Sequence, residues 1–263
     1  MKRTVVFLVL IGVVFCAITH LYADTVKMGF FTLPPHTFKA DGPGAKAEGA
    51  GITYFEQVAA KMGYVVEWIG PLPLPRLTEY LKLGTAIDGT VGFPKIPVFE
   101  GFLYYTDKPL YMGQPILGVA KDNPLTQIKT IDDIRGFRIG LVKSSSGRYN
   151  PLIDENRDKI RLEELGGDKW METNIEKLIA GRLNALFDRQ QYTMPYVAAT
   201  LKLDQKIKVL PLPSPPTPMF VTFAKASKNG KVLLDKYNAA NSQETLNYKD
   251  LLQKKIDIVT GKK

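Results

Sequence analysis

The strongest constraint in this sequence is a strand–helix alternation that runs, breaks off and starts again. Thr25 to Phe31 (TVKMGFF) reads as a strand, and Gly51 to Met62 as a helix with apolar residues at 52, 55, 58, 59 and 62. Tyr64 to Ile69 is a second strand, Pro75 to Leu83 a helix with proline at its start, and Ile87 to Phe93 a third strand. Such a β-α-β-α-β run implies parallel strands with helices on the sheet faces. A longer extended stretch, Leu110 to Ala120, interrupts the pattern before a strand over Phe137 to Val142 restarts it. A helix from about Pro151, capped by Asn150, is followed by a helix over Trp170 to Ala180 and a strand over Asn184 to Asp188. Another helix and a strand over Ile207 to Leu210 come next. The proline-rich PLPSPPTP leads into a second extended segment, Met219 to Ala224, and helices over Lys231 to Gln243 and Tyr248 to Val259 close the chain.

The expected architecture is therefore α/β, with one unit inserted into another. One lobe spans 24–112 and 218–263 and the other 113–217, joined by two extended crossings near 110–117 and 213–220. A single continuous sheet would need no restart.

Residues 1–23 are read as a cleaved secretory signal, with a retained anchor the competing reading, and set aside. Lys2 and Arg3 start it, Thr4 to Ile18 is almost unbroken apolar sequence, and Leu21-Tyr22-Ala23 offers a small residue before Asp24. The sole cysteine, Cys16, lies inside it, and bulky Phe15 stands where lipidation would need a small residue. The mature chain thus has no thiol for a disulfide or a metal, and its stability must come from its core. Net charge falls from +9 to about +7 when the two signal bases are removed. The remaining bases are dispersed, with no run longer than two, so no nucleic-acid partner is expected.

Ligands of open α/β sheets bind beyond the carboxyl ends of the strands. Two hinged lobes would bring both sets of strand ends around one cleft, which picks out Phe31 to His36, Thr90 to Lys95, Ser144 to Arg148 and Asp188 to Gln191. Among those ends, Phe31 offers an aromatic face and His36 a polar rim group. Phe93 ends the third strand and Lys95 follows it, and Arg76 starts a nearby helix. Ser145 and Ser146 lie in a serine-rich turn that can offer hydroxyls and amides to an anion. Asp188 ends GRLNALFD, where a buried strand would deliver a carboxylate into the cleft; capping of the next helix is the competing role. Solvation or an ion pair competes for Arg76 and Lys95 in the same way. No catalytic residues are assigned. No Gly-x-Ser-x-Gly elbow occurs, and His36 is the only histidine outside the signal segment, which supports neither a Ser-His-Asp relay nor a zinc site. No cofactor is implied.

Taken in order, several segments resemble the bacterial extracellular solute-binding proteins of family 3, the periplasmic receptors of ABC importers. They are Leu33-Pro34-Pro35-His36, Gly51-Ile52, Leu83 to Gly89 (LGTAIDG), Tyr105 to Tyr111 (YTDKPLY), Ile128 to Gly136 (IKTIDDIRG), Ile139 to Val142 and GRLNALFD. The resemblance implies a two-lobe, type II-like periplasmic binding fold, each lobe a mostly parallel sheet flanked by helices. It also implies a periplasmic protein that closes on a small molecule without altering it and then docks on an inner-membrane ABC permease. The rival implications are an exported dehydratase-like enzyme on the same fold and a ligand-sensing partner of a membrane kinase. In the resembling amino-acid binders, an arginine downstream of the third strand holds the ligand carboxylate. Here that stretch reads Ile96-Pro97-Val98-Phe99-Glu100, whereas the hydroxyls carry over as Ser145 and Ser146 and the amino-group acid as Asp188. Loss of such a desolvated two-point contact is worth roughly 2–5 kcal/mol. The expected ligand has a cationic or hydrogen-bonding group for Asp188 and a flatter, less polar body, with Lys95 or Arg76 the candidate replacement for the arginine.

Overall fold

The computed structural model describes residues 24–40, 42–144, 146–242 and 247–261. The expected signal segment with Cys16, and the candidate Ser145, lie outside them. The chain begins with β1 (Asp24–Gly29), a hairpin of β2 (Phe38–Lys39) and β3 (Ala47–Glu48), α1 (Ala50–Lys61), β4 (Tyr64–Ile69), α2 (Leu74–Leu83) and β5 (Gly89–Pro94). It continues through α3 (Pro97–Glu100), β6 (Leu103–Tyr105) and β7 (Tyr111–Gly113). A second unit comprises β8 (Ile116–Ala120), β9 (Arg138–Val142), α4 (Pro151–Asp154), β10 (Arg161–Leu165), α5 (Trp170–Ile179), β11 (Ala185–Asp188), α6 (Thr193–Thr200) and β12 (Ile207–Pro211). The chain returns through β13 (Thr217–Ala224) and ends in α7 (Gly230–Asn241) and α8 (Tyr248–Thr260).

The strands form two main sheets, ordered β4-β1-β5-β13-β6, with β7 also on β13, and β10-β9-β11-β8-β12. Strands joined by helices run parallel: β1 with β4 and β5, and β9 with β10 and β11. By contrast, β13 is antiparallel to β5, β6 and β7, and β8 to β11 and β12. Each sheet is therefore mixed rather than mostly parallel. A strand arriving from the other lobe enters the sheet from the opposite end, so the crossings impose the antiparallel pairs.

The two crossings lie side by side. Thr217 pairs with Gly113 in the first sheet, and Pro211 with Ile116 in the second. Gln114 ties them together, its Nε2 donating to the carbonyls of Leu212 (3.1 Å) and Ser214 (3.3 Å). Each lobe has its own core, one around Met28, Phe55 and Phe223 and the other around Ile139, Leu141 and Phe187. The α1 periodicity explains its share, because Ile52, Phe55, Val58 and Ala59 fall on one buried face. Helix α8 packs against both α1 and α6, so it touches elements on either side of the crossings.

Two glycines are required by geometry. Gly181 closes the turn after α5 at φ 70°, as the sequence suggests. Gly49 precedes α1 at φ 127°, and a Cβ there would lie 2.2 Å from the His36 carbonyl oxygen. That close approach lets the first amides of α1 donate to the carbonyls of Pro35 and His36, each at 2.8 Å. It anchors the loop after β1.

Strand β10 has no counterpart in the sequence reading. Arg161-Leu162-Glu163-Glu164-Leu165 is a polar edge strand, and none of its residues is fully buried.

Candidate ligand-binding cleft

The carboxyl ends of β1, β5, β9 and β11 meet at a small cavity between the lobes. It has a volume of about 80 Å³ and is lined by Phe31, Phe93, Phe99, Trp170 and Phe187, with Ser146, Asp188, Arg189 and Gln190 among its polar walls. A wider groove of about 500 Å³ adjoins it, sharing Ile96, Ser146, Tyr149 and Arg189. Across the cleft the indole N–H of Trp170, the first residue of α5, donates to the carbonyl of Thr32 at 3.2 Å. Phe31 packs on the apolar cluster that includes Trp170, so the lobes stand closed on one another.

Asp188 ends β11 with only 4% of its surface exposed. Its Oδ1 accepts from the Gln190 backbone amide and its Oδ2 from the Gln190 side chain, each at 3.3 Å. The carboxyl lines the cavity and accepts from Gln190 in the turn before α6, but it does not cap that helix, whose cap position is Tyr192 and has no side-chain cap bond. Burial pushes its pKa up to about 7, outweighing the backbone amides of Gln190, Met194 and Arg189, which act in the other direction.

Gln190 is fixed from several sides. Its Oε1 accepts from the Tyr192 amide at 2.7 Å, while its Nε2 donates to Asp188 and to Thr193 Oγ1. With Oε1 so assigned, His36 Nε2 must be the donor in its 3.3 Å contact with Gln190. His36 Nδ1 then accepts from the Tyr248 hydroxyl. The imidazole also stacks on Tyr111, with ring centroids 4.4 Å apart, and meets Tyr192 edge-on. Burial holds its pKa down at about 3, so the ring is neutral. A hydrogen-bonded chain thus runs from α8 through the β1 loop to the cavity wall. His36 is a buried junction residue, not the polar rim group expected from the sequence, because aromatic rings from β7, α8 and the start of α6 enclose it.

The expected site residues divide. Phe31, Phe93, Ser146 and Asp188 line the cavity. Arg76 and Lys95 do not; both are exposed, and Lys95 Nζ lies 5.6 Å from the centroid of the Tyr105 ring. Lys95 lies just past the end of β5, where its amide bonds the Pro218 carbonyl at 3.2 Å. Arg76 stands on the solvent side of α2, whose inner face buries Leu77, Thr78 and Leu81. Tyr149 and Trp170 were missed by sequence reading, while Arg189 and Gln190 fall inside the strand end 188–191 that it picked out but were given no role of their own. Arg189 directly follows Asp188, and its position beyond the strand end was the available signal. Among the described residues, no cluster of three or more His, Cys, Asp or Glu side chains could hold a metal ion.

No family model matches the sequence, and no curated protein matches it. Solved structures do. An amino acid ABC transporter substrate-binding protein AbpA from Streptococcus pneumoniae, bound to L-arginine, superposes with a TM-score of 0.72 at 14% identity, covering 90% of this chain and 96% of that one. The VFT2 domain of Bordetella pertussis BvgS gives 0.67 at 18% identity, covering 90% and 93%. An ancestral amino acid-binding protein, AncCDT-1, a precursor of cyclohexadienyl dehydratase, gives 0.70 at 18% identity, covering 89% and 96%. At these identities the likeness is one of fold. The chain has the α/β, two-lobe periplasmic binding fold.

Proposed function

We propose that this chain is an exported solute-binding protein that captures a small molecule by closing its lobes and delivers it to an inner-membrane ABC permease. The observation that carries the reading is the buried carboxyl of Asp188 on the wall of an aromatic-lined interlobe cavity. A group of that kind, beside Phe31, Phe93 and Trp170, suits a ligand with a cationic or hydrogen-bonding end and an apolar body. Residues 1–23 would direct export, 24–112 with 218–263 would form one lobe, and 113–217 the other. Among the described residues, no helix is long and apolar enough to cross a membrane. The amino-acid-binding neighbours support this reading.

Native mass spectrometry of the exported protein, before and after mild denaturation, tests it. A small mass released stoichiometrically and chemically unchanged is expected. Absence of any such mass, together with no thermal shift across a metabolite panel, overturns the reading, because a ligand selective for the folded state raises its midpoint.

One observation favours a second reading, an exported enzyme. A carboxyl titrating near neutrality has the pKa of a general acid or base. Recovery of a chemically altered ligand after incubation selects the enzyme over the receptor.

A further inference from the structure

We propose that Arg189 holds a ligand carboxylate beside the Asp188 cation site, so that both charges of a zwitterionic ligand are read by the end of β11. The inference rests on the solute-binding reading and assigns the charged ends of its ligand.

Arg189 lines both the cavity and the adjoining groove, as does Ser146. One guanidinium nitrogen donates to the Arg148 carbonyl at 2.9 Å. A guanidinium has five N–H donors in a planar fork, so donors remain for a carboxylate. Among the described residues, no carboxylate forms an ion pair with it: Asp154, the nearby acid on α4, pairs with Arg157 at 2.8 Å. Arg189 is also the cation that reaches this cavity, whereas Arg76 and Lys95 face solvent.

The cation end has its own unmet group. The Tyr111 hydroxyl is buried without a hydrogen-bond partner. A Cβ built on Gly92, which lines the cavity, would sit 3.8 Å from that oxygen, and Asp188 is close enough to act on it electrostatically. A buried unpaired hydroxyl is costly unless something completes it. A ligand ammonium has three donors and no acceptor. Asp188, on the cavity wall, accepts from one; the Tyr111 hydroxyl is not part of the cavity lining and lies near Gly92, which is. The first lobe then contributes apolar surface, Phe31, Phe93 and Phe99, rather than a countercharge.

Calorimetric titration of the exported protein with L-phenylalanine, 2-phenylethylamine and 3-phenylpropionate removes one ligand charge at a time. Wild type is expected to bind phenylalanine at least about 30-fold more tightly than either analogue. Arg189→Gln should weaken phenylalanine by about 30-fold or more and leave phenylethylamine unchanged. Arg189→Lys, which keeps the charge and loses the fork, should cost phenylalanine about tenfold. Lys95→Ala and Arg76→Ala should change nothing. Should Arg189→Gln fail to fold by circular dichroism, the lysine variant decides: unchanged phenylalanine affinity overturns the proposal. Equal wild-type affinity for phenylalanine and phenylethylamine, or no binding of any of the three, also overturns it. In those cases the solute-binding reading stands or falls separately, on the mass released from the native protein.

Discussion

His36 and Gln190, 154 positions apart, meet through a 3.3 Å contact in which the imidazole Nε2–H faces the amide oxygen. Gln190 in turn donates to Asp188, and Tyr248 on α8 completes the chain at the other imidazole nitrogen. The loop after β1, the start of α6 and the C-terminal helix are thereby tied to the carboxyl that faces the cavity.

The neutral state of His36 makes stability depend on acid. Its folded pKa of about 3 lies below the ordinary 6.5, so the unfolded chain takes up this proton first. The stability associated with this group is complete above 6.5 and is lost as pH falls toward 3, by at most about 1.4 kcal/mol per pH unit. Urea unfolding of Asp188→Asn, which lacks the opposing carboxyl, should reveal the slope at pH 7, 5.5 and 4, and adding His36→Gln should remove it.

Asp188 contributes the opposite slope. Its folded pKa of about 7 lies above the usual 3.8, so the folded state keeps a proton that the unfolded state releases. The associated stability is complete below 3.8 and is lost as pH rises to about 7. Between pH 4 and 6.5 the two groups offset one another in the wild type. Asp188→Asn should grow steadily more stable with rising pH in that window, and His36→Gln less stable.

Binding of a cationic ligand should follow Asp188 ionisation. At pH 6 about a tenth of a carboxyl titrating near 7 is ionised, against about nine-tenths at pH 8, so affinity should rise roughly tenfold between them. Titration of an amine ligand at both values checks this, and Asp188→Asn should abolish the difference.

The Trp170–Thr32 bond should contribute to closure. Trp170→Phe keeps an aromatic ring and deletes the donor, and should cost about 0.5–1.5 kcal/mol of closing free energy. A roughly 2- to 10-fold loss of ligand affinity, with small-angle scattering indicating a more open particle, is the expected result.

Gly49→Ala should cost about 2–4 kcal/mol, because the new Cβ strikes the His36 carbonyl at 2.2 Å. Gly63→Ala is the control, since Gly63 also has a positive φ, 80°, but nothing lies within 4 Å of its Cβ position. It should cost about 1–2 kcal/mol. Thermal unfolding separates the two.

Helices and strands with one buried face were legible because their periodicity is written locally: α1 shows its apolar stripe, and β11 its short apolar run ending at Asp188. The polar edge strand β10 was not, since an edge strand needs no alternating buried face. Phe31, Phe93, Ser146 and Asp188, which line the cavity, were legible because they lie at or just beyond strand ends. Arg189 lay in the same strand end as Asp188 but was given no role, because a side chain's direction beyond a strand end depends on its neighbours. His36 was placed on a rim because nothing near it in the chain indicates burial; Tyr248, one of its partners, lies 212 positions away.

The sequence by itself determined the alternation of elements, its interruption and restart, and the carboxylate that β11 presents at its end, because backbone periodicity and strand termination are local properties. Tertiary structure alone decided which charged side chains reach the cleft and which protonation states they hold. Orientation and desolvation are set by groups distant in the chain: Tyr248 and Gln190 for His36, and the closed lobes for Asp188 and Arg189.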